Sequence, residues 1–463
     1  MDQNTLILTI ILSFIAALFL LCIICLYYNF YPRPVPTHLL AKNLRYKQTN
    51  CFLRSFTKIG DSFYSFFKCG FRSFYDSLDF FTMLGAKAQA NGEVDFRWIR
   101  GENVQPILHV FPKNLEEQDY PKLKTLFYYH GGGMVFGDPR PVAFATAKNL
   151  KNYQVFAVKY RKSPEFPYPT PINDCIDATK FLLKNSNKFK INKFGIFGES
   201  AGGNLTTAVL MSIDFEKEFG KGKIPEVANI LIPMQQAINF KTYSRTCEKY
   251  SELEIPGKMV PTCWLAYAGL DVCCKDNVEF LAANRHVEFE EYKSLLDENL
   301  WHLDPEDLKQ HDSHTKITID YSNPEQNLGI NPQIWYADKN KTKQVTKRNK
   351  YHNIKDTLKK LLQSNSNPDL PPFSPGTVSN EKLNFATKNC RKIYVTVSEL
   401  DPVRDDGIMF FNRIKHFGSN VELVLNRNAG HIFMYMNQYV MKMGLGYEAY
   451  NEPMRVMFRN LEF

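Results

Sequence analysis

A serine set among glycines, Gly198-Glu199-Ser200-Ala201-Gly202, and a glycine run, His130-Gly131-Gly132-Gly133, are the residues of this chain best suited to joint chemistry. The serine run follows an apolar, strand-like stretch at 193–197 and leads into a helix-like stretch at 201–213. Side chains beside so sharp a strand-to-helix reversal would clash. Gly198 and Gly202 therefore let the Ser200 hydroxyl stand above the sheet edge at a helix N-terminus. The glycine run follows another apolar stretch, 123–129, and its lack of side chains lets backbone N–H groups turn toward a ligand oxygen. Together the two runs imply acyl transfer: a serine hydroxyl attacks a carbonyl while the N–H groups of Gly132, Gly133 and Ala201 face the developing oxyanion. His130 is expected to brace the glycine run rather than move protons.

A serine nucleophile needs a base, and the base needs a carboxylate to fix its tautomer. Of ten histidines, His431 stands a few residues beyond a strand-like stretch ending at Leu425, near the C-terminal end of the sequence. Position and order make it the base. Carboxylate candidates crowd the run 398–407. Asp401 follows the apolar stretch 393–397 and precedes a proline that fixes the turn, which favours it as the orienting acid. Glu399 is its competitor. Asp405 and Asp406 stand where a helix begins and are read as N-caps. No metal or organic cofactor is called for by this chemistry.

Elements able to hold these residues are legible from about Gly92 onward. Short apolar stretches at 94–99, 106–110, 123–129, 155–160, 194–197, 230–233, 393–397 and 421–425 read as strands. Helical spacing follows at 143–152, 171–184, 201–213 and 405–416. Strands spaced by helices predict a mostly parallel central sheet covered by helices on both faces. Regularity fails between about 239 and 390, a run rich in Lys, Asn, Asp and Pro that is too long for a bare loop. It reads as an inserted, partly helical cap with an irregular tail at 364–379.

The first 85 residues differ in kind. After a short tail, 1–5, residues 6–28 run without a charge for long enough to cross a ~30 Å hydrocarbon core. No small-residue cleavage site follows; Tyr27, Tyr28 and Tyr31 suit the interface, and Pro32 and Pro34 end the helix. A single uncleaved signal anchor in the lipid bilayer is the expectation. Residues 29–85 place Phe52, Phe56, Phe63, Phe66, Phe67, Phe71, Phe74, Leu78 and Phe81 at three- and four-residue steps, which predicts amphipathic helices forming a cap or lid. Residues 86–463 then form the main domain.

Composition narrows the partners. The 463 residues are 44% hydrophobic and 23% charged, as in an ordinary globular protein. Much of the net charge of +9 gathers at Lys339–Lys360, where it reads as a solvated loop and helix face. No recognised motif accompanies it, so nucleic acid is not an expected partner. The positive flank Arg33, Lys42, Arg45 and Lys47 would place the body of the protein in the cytosol. An Asn-Lys-Thr sequon at Asn340 would instead suit a lumenal location. Oligomeric state and disulfide pairing leave no mark in the sequence.

The chain resembles the hormone-sensitive-lipase branch of α/β-hydrolases, and within it the arylacetamide deacetylase group. The likeness rests on residues 130–133, 160–165, 198–205 and 401–407, on Gly430-His431, and on the N-terminal anchor. It implies the α/β-hydrolase fold, Ser200 as nucleophile, Asp401 and His431 as its partners, and an oxyanion hole at Gly132, Gly133 and Ala201. It also implies a single-pass protein of the endoplasmic reticulum membrane with a lumenal catalytic domain that hydrolyses esters and amides of lipophilic compounds. Against the usual pattern of that group, Glu199 replaces Asp, Met134 replaces Trp, and the 239–390 segment is enlarged. Neutral-lipid or steryl-ester lipase is the alternative within the same mechanism. A non-catalytic ligand receptor on this scaffold, of the gibberellin-receptor kind, would have lost the base that His431 supplies.

Overall fold

Strong β-formers dominate the eight strands that form one sheet among the described residues: β1 Val94–Gly101, β2 Val104–Pro112, β3 Lys124–Tyr129, β4 Tyr153–Val158, β5 Phe194–Glu199, β6 Ala228–Leu231, β7 Ile393–Ser398 and β8 Val421–Asn426. The computed structural model describes residues 93–113, 120–234, 255, 259–272, 274–282, 348–367, 369–398, 401–417, 420–426, 429–431 and 451–463. Spatial order is β1-β2-β4-β3-β5-β6-β7-β8. β2 is antiparallel to both β1 and β4, and every other pairing is parallel. The expected mostly parallel sheet is therefore present.

Burial on both faces explains why β3 to β6 read as unbroken apolar runs rather than alternating ones. Leu126 and Tyr128 of β3 join one core with helices α1 (Arg140–Asn149) and, near the end of the sequence, α8 (Asn451–Arg459). Phe127 and Tyr129 join the opposite core, which takes in α2 (Thr170–Lys184), α3 (Ala201–Ser212), α6 (Asn380–Lys388) and α7 (Arg404–Ile414). Between β6 and β7 the described residues include α4 (Met259–Tyr267) and α5 (Arg348–Gln363). On α5, Ile354, Leu358 and Leu362 are buried at four-residue steps while Lys359 and Lys360 are exposed. The basic stretch is here the solvated face of an amphipathic helix.

Boundaries differ from the sequence reading at several elements; β6, for one, is Ala228–Leu231 and not 230–233. α1 begins three residues before the expected 143, because Pro141 suits a first helical turn, where its missing N–H costs nothing. β4 runs from Tyr153 to Val158, not 155–160, so Tyr160 lies beyond the strand and is free to turn toward the glycine loop.

His109 of β2 knits three strands. Its ring stacks on Phe156 at 4.2 Å, Arg97 Nε donates to its Nδ1 at 3.1 Å, and its Nε2 lies 2.8 Å from Gln154 Oε1. Burial, with the Arg97 charge adding to it, pulls its pKa down to about 3, so the ring is neutral and structural.

Among the described residues no helix is long and apolar enough to cross a membrane. The stretch 6–28, the amphipathic stretch 29–85, Asn340 and Glu399 all lie outside the described residues.

Candidate active site

Parallel strands bring their carboxyl ends to one edge, and the turns beyond β3, β5, β7 and β8 each supply one part of the site. Beyond β5 the chain reverses at Ser200, which sits at φ 56° and ψ −116°, a region L-residues rarely adopt. Such a conformation costs on the order of 1–3 kcal/mol and persists only where its surroundings enforce it. They do so here: Ser200 N–H donates to Leu231 O at 2.9 Å, and Ser200 O accepts from Met234 N and from Asn204 N, each at 3.2 Å. α3 begins at the next residue, Ala201.

Close approach of backbones explains the glycines flanking the serine. A Cβ at Gly198 would lie 2.6 Å from Tyr129 O, and one at Gly202 would lie 2.9 Å from the carbonyl carbon of His130. The elbow and the glycine loop thus pack main chain against main chain. Gly132, at φ 106°, turns the loop back on itself, its carbonyl accepting from Val135 N at 2.9 Å and Phe136 N at 3.0 Å. Met134 is buried at φ 60°, and its carbonyl accepts from Ser163 N at 2.8 Å.

His130 is fully enclosed and stacks on Tyr160, ring centroids 4.1 Å apart. Its Nδ1 donates to Gly131 O at 2.8 Å, and Tyr160 O–H donates to His130 O, also at 2.8 Å. Burial lowers its pKa to about 4, so it stays neutral and holds the loop's shape.

Beyond β7 and β8 lie the acid and the base. Asp401 is fully buried and His431 is 6% exposed; His431 Nδ1 lies 2.9 Å from both carboxylate oxygens of Asp401. A carboxylate only accepts, so the proton sits on Nδ1 and leaves Nε2 able to take another. Asp401 Oδ1 also accepts from Val403 N at 2.8 Å, which locks the turn before α7.

That bond corrects one expectation. Asp405 and Asp406 do not cap α7: its N-cap is Val403 and shows no side-chain cap bond. A capping side chain must stand at the cap itself, and these two stand within the first turn, where Asp405 pairs with Arg404 Nε at 2.9 Å. Both are buried.

Two participants were given no role by the sequence. Glu199 Oε1 accepts from Gly131 N and from Tyr128 O–H, each at 2.7 Å. Cys263 of α4 backs the glycine loop; its Cβ would lie 2.8 Å from a Cβ placed on Gly133. Asn204 has no exposed surface and donates to Met234 O at 3.0 Å. No group of three or more His, Cys, Asp or Glu able to hold a metal occurs among the described residues.

Comparison with known proteins bears on the fold and the family of the chain. Neutral cholesterol ester hydrolase 1 of Mus musculus is 23% identical over 358 residues, spanning 74% of this chain and 75% of that protein. Arylacetamide deacetylase of Bos taurus is 25% identical over 347 residues, spanning 73% and 74%. An ester-hydrolase from the metagenome of Lake Arreo shares the fold, with a TM-score of 0.51 at 17% identity over 90% of this chain and 98% of that one. The family model described as the alpha/beta hydrolase fold matches residues 126–293 and 315–435, the stretches that hold the glycine loop, the elbow and the Asp401–His431 pair. The chain belongs to the alpha/beta hydrolase fold family, and its relatives include ester hydrolases of the hormone-sensitive-lipase type.

Proposed function

We propose that this chain is a membrane-anchored serine hydrolase that cleaves carboxylic esters of lipophilic compounds, with acetyl amides as a further class, through Ser200, His431 and Asp401. The observation that carries the reading is the buried Asp401–His431 pair, at the sheet edge where Ser200 is held in its strained turn. Ser200 Oγ attacks the carbonyl carbon as His431 Nε2 takes its proton. The new oxyanion is met by the N–H groups of Gly132, Gly133 and Ala201, each such donor typically worth about 10²–10³ in rate. His431 then gives the proton to the leaving alcohol or amine, and the acyl group stays on Ser200. Water, deprotonated by the same Nε2, attacks the acyl-enzyme; the bond to Ser200 Oγ breaks, Nε2 returns the proton to Oγ, and the acid leaves. Asp401 keeps Nδ1 protonated and stabilises the imidazolium throughout.

Substrate class divides two readings. The arylacetamide deacetylase relative supports small acetyl esters and amides, and the neutral cholesterol ester hydrolase relatives support neutral-lipid or steryl esters. Turnover of esters of rising acyl length by the detergent-solubilised protein separates them. A maximum at acetyl to butyryl supports the first reading, and a maximum at long chains supports the second. No turnover of any member would remove the hydrolase reading.

Anchoring is read from residues 6–28, and the orientation follows the resemblance: single-pass in the endoplasmic reticulum membrane, catalytic domain lumenal. Asn340 is then glycosylated. Endoglycosidase should reduce the protein's apparent mass, and Asn340→Gln should abolish most of that shift. Digestion of the domain by protease added to sealed microsomes would reverse the orientation.

A further inference from the structure

The proposed oxyanion hole is assembled from two pieces of chain. Gly132 and Gly133 lie on the loop after β3, and Ala201 lies at the start of α3 after β5. Its donors must all fall within about 2.7–3.1 Å of one oxygen, so the spacing between loop and elbow sets their usefulness. Backbone contact between Gly202 and the Tyr129–His130 carbonyls keeps the two apart at a minimum distance but cannot hold them together. The β3–β5 pairing holds the chain as far as Tyr129 and Gly198, and the loop beyond it needs a tie of its own.

We infer that Glu199 is that positioning residue: its side chain ties Gly131 of the glycine loop to the residue immediately before the nucleophile. Oε1 accepts from the Gly131 N–H at 2.7 Å, one residue ahead of the first proposed oxyanion donor. The same oxygen accepts from the Tyr128 O–H at 2.7 Å. Tyr128 is itself fixed by stacking on Phe197, ring centroids 4.7 Å apart, and the two are register partners on the adjoining parallel strands β3 and β5. Two-residue alternation puts Phe197 and Glu199 on the same face of β5. The ring of Tyr128 therefore runs up that face and delivers its hydroxyl beneath the carboxyl group.

Length is well matched. A Cβ on Gly131 would come within 3.2 Å of Glu199 Cγ and Oε1, and within 2.8 Å of Glu199 O, so the loop rests directly on this residue. Glu199 is 1% exposed, and water does not compete for these bonds. One buried oxygen accepts both short bonds, which suits an atom that must hold a loop in place. The substrate carbonyl is not touched by Glu199; its effect passes through Gly131 to the donors that follow.

This inference rests on the serine-hydrolase reading, and the test separates the two. Glu199→Gln keeps an acceptor oxygen but replaces the carboxyl group with an amide, and should lower kcat about 10-fold. Glu199→Leu removes both bonds and should lower it about 10²-fold, the scale expected for a misplacement near 1 Å. Tyr128→Phe leaves the Gly131 bond and should fall less than either. KM should change little across the series. Affinity for a trifluoromethyl ketone, whose adduct on Ser200 places an oxyanion in the hole, should fall in parallel with kcat/KM. A residue that only supported the fold would lower thermal stability without that parallel. Amide exchange across residues 130–136 gives a readout without turnover, and it should speed up in Glu199→Gln and further in Glu199→Leu. Unchanged kcat with unchanged exchange in Glu199→Leu overturns the positioning role and leaves the hydrolase reading standing. Absence of Ser200-dependent turnover in the wild type, with exchange still faster in the variants, removes the hydrolase reading and leaves the tether.

Discussion

Ser200→Ala is expected to lower ester turnover about 10⁴–10⁶-fold, the usual cost of removing one member of a coupled triad. The comparison is clean because alanine keeps the Cβ. Backbone strain at φ 56° is the same before and after, and the bonds to Leu231 O, Met234 N and Asn204 N all involve the Ser200 main chain. Thermal unfolding should move little, so the lost rate reports Oγ itself. Esterase activity surviving in Ser200→Ala would move the nucleophile elsewhere.

The second large effect is at the acid. Asp401→Asn should reduce kcat by about 10⁴ with substrate binding nearly intact. Both Asp401 oxygens lie 2.9 Å from His431 Nδ1. An amide in that place offers its own N–H to Nδ1 and drives the imidazole proton to Nε2, where it blocks acceptance from Ser200. Glu399→Gln serves as the control and should be mild. If Glu399→Gln were crippling and Asp401→Asn mild, the acid role would pass to Glu399.

Much of the fold could be read from the sequence because its strands are buried on both faces and spaced by helices. Runs such as 123–129 and 194–197 have no other plausible home than a covered parallel sheet. Parallel pairing then fixes which end of each strand faces the site, and this is why Ser200, Asp401 and His431, far apart in sequence, all fall beyond carboxyl ends. Strand order supplied Asp401 and His431 as neighbours, on the turns beyond the paired strands β7 and β8.

Other features were not legible, for physical reasons. The bond from Gly131 to Glu199 depends on side-chain reach between a loop and the end of β5, which has no period and no spacing. Cys263 meets Gly133 from a helix within the irregular 239–390 run, where nothing in the sequence says what packs on what. The misreading of Asp405 and Asp406 as caps arose from a helix that starts one residue earlier than expected, at Arg404, after Asp401 closes the turn. Residues placed by strand order were legible; side-chain contacts that follow no order or period were not.

The central claim, that Ser200 is the nucleophile of a working Ser-His-Asp set, is tested most directly by labelling the full-length, detergent-solubilised protein with a fluorophosphonate and mapping the adduct by peptide mass spectrometry. The account predicts one adduct, on Ser200, formed in step with the loss of esterase activity and greatly slowed in Asp401→Asn. An adduct on a different serine, or full inactivation with Ser200 unmodified, would contradict it.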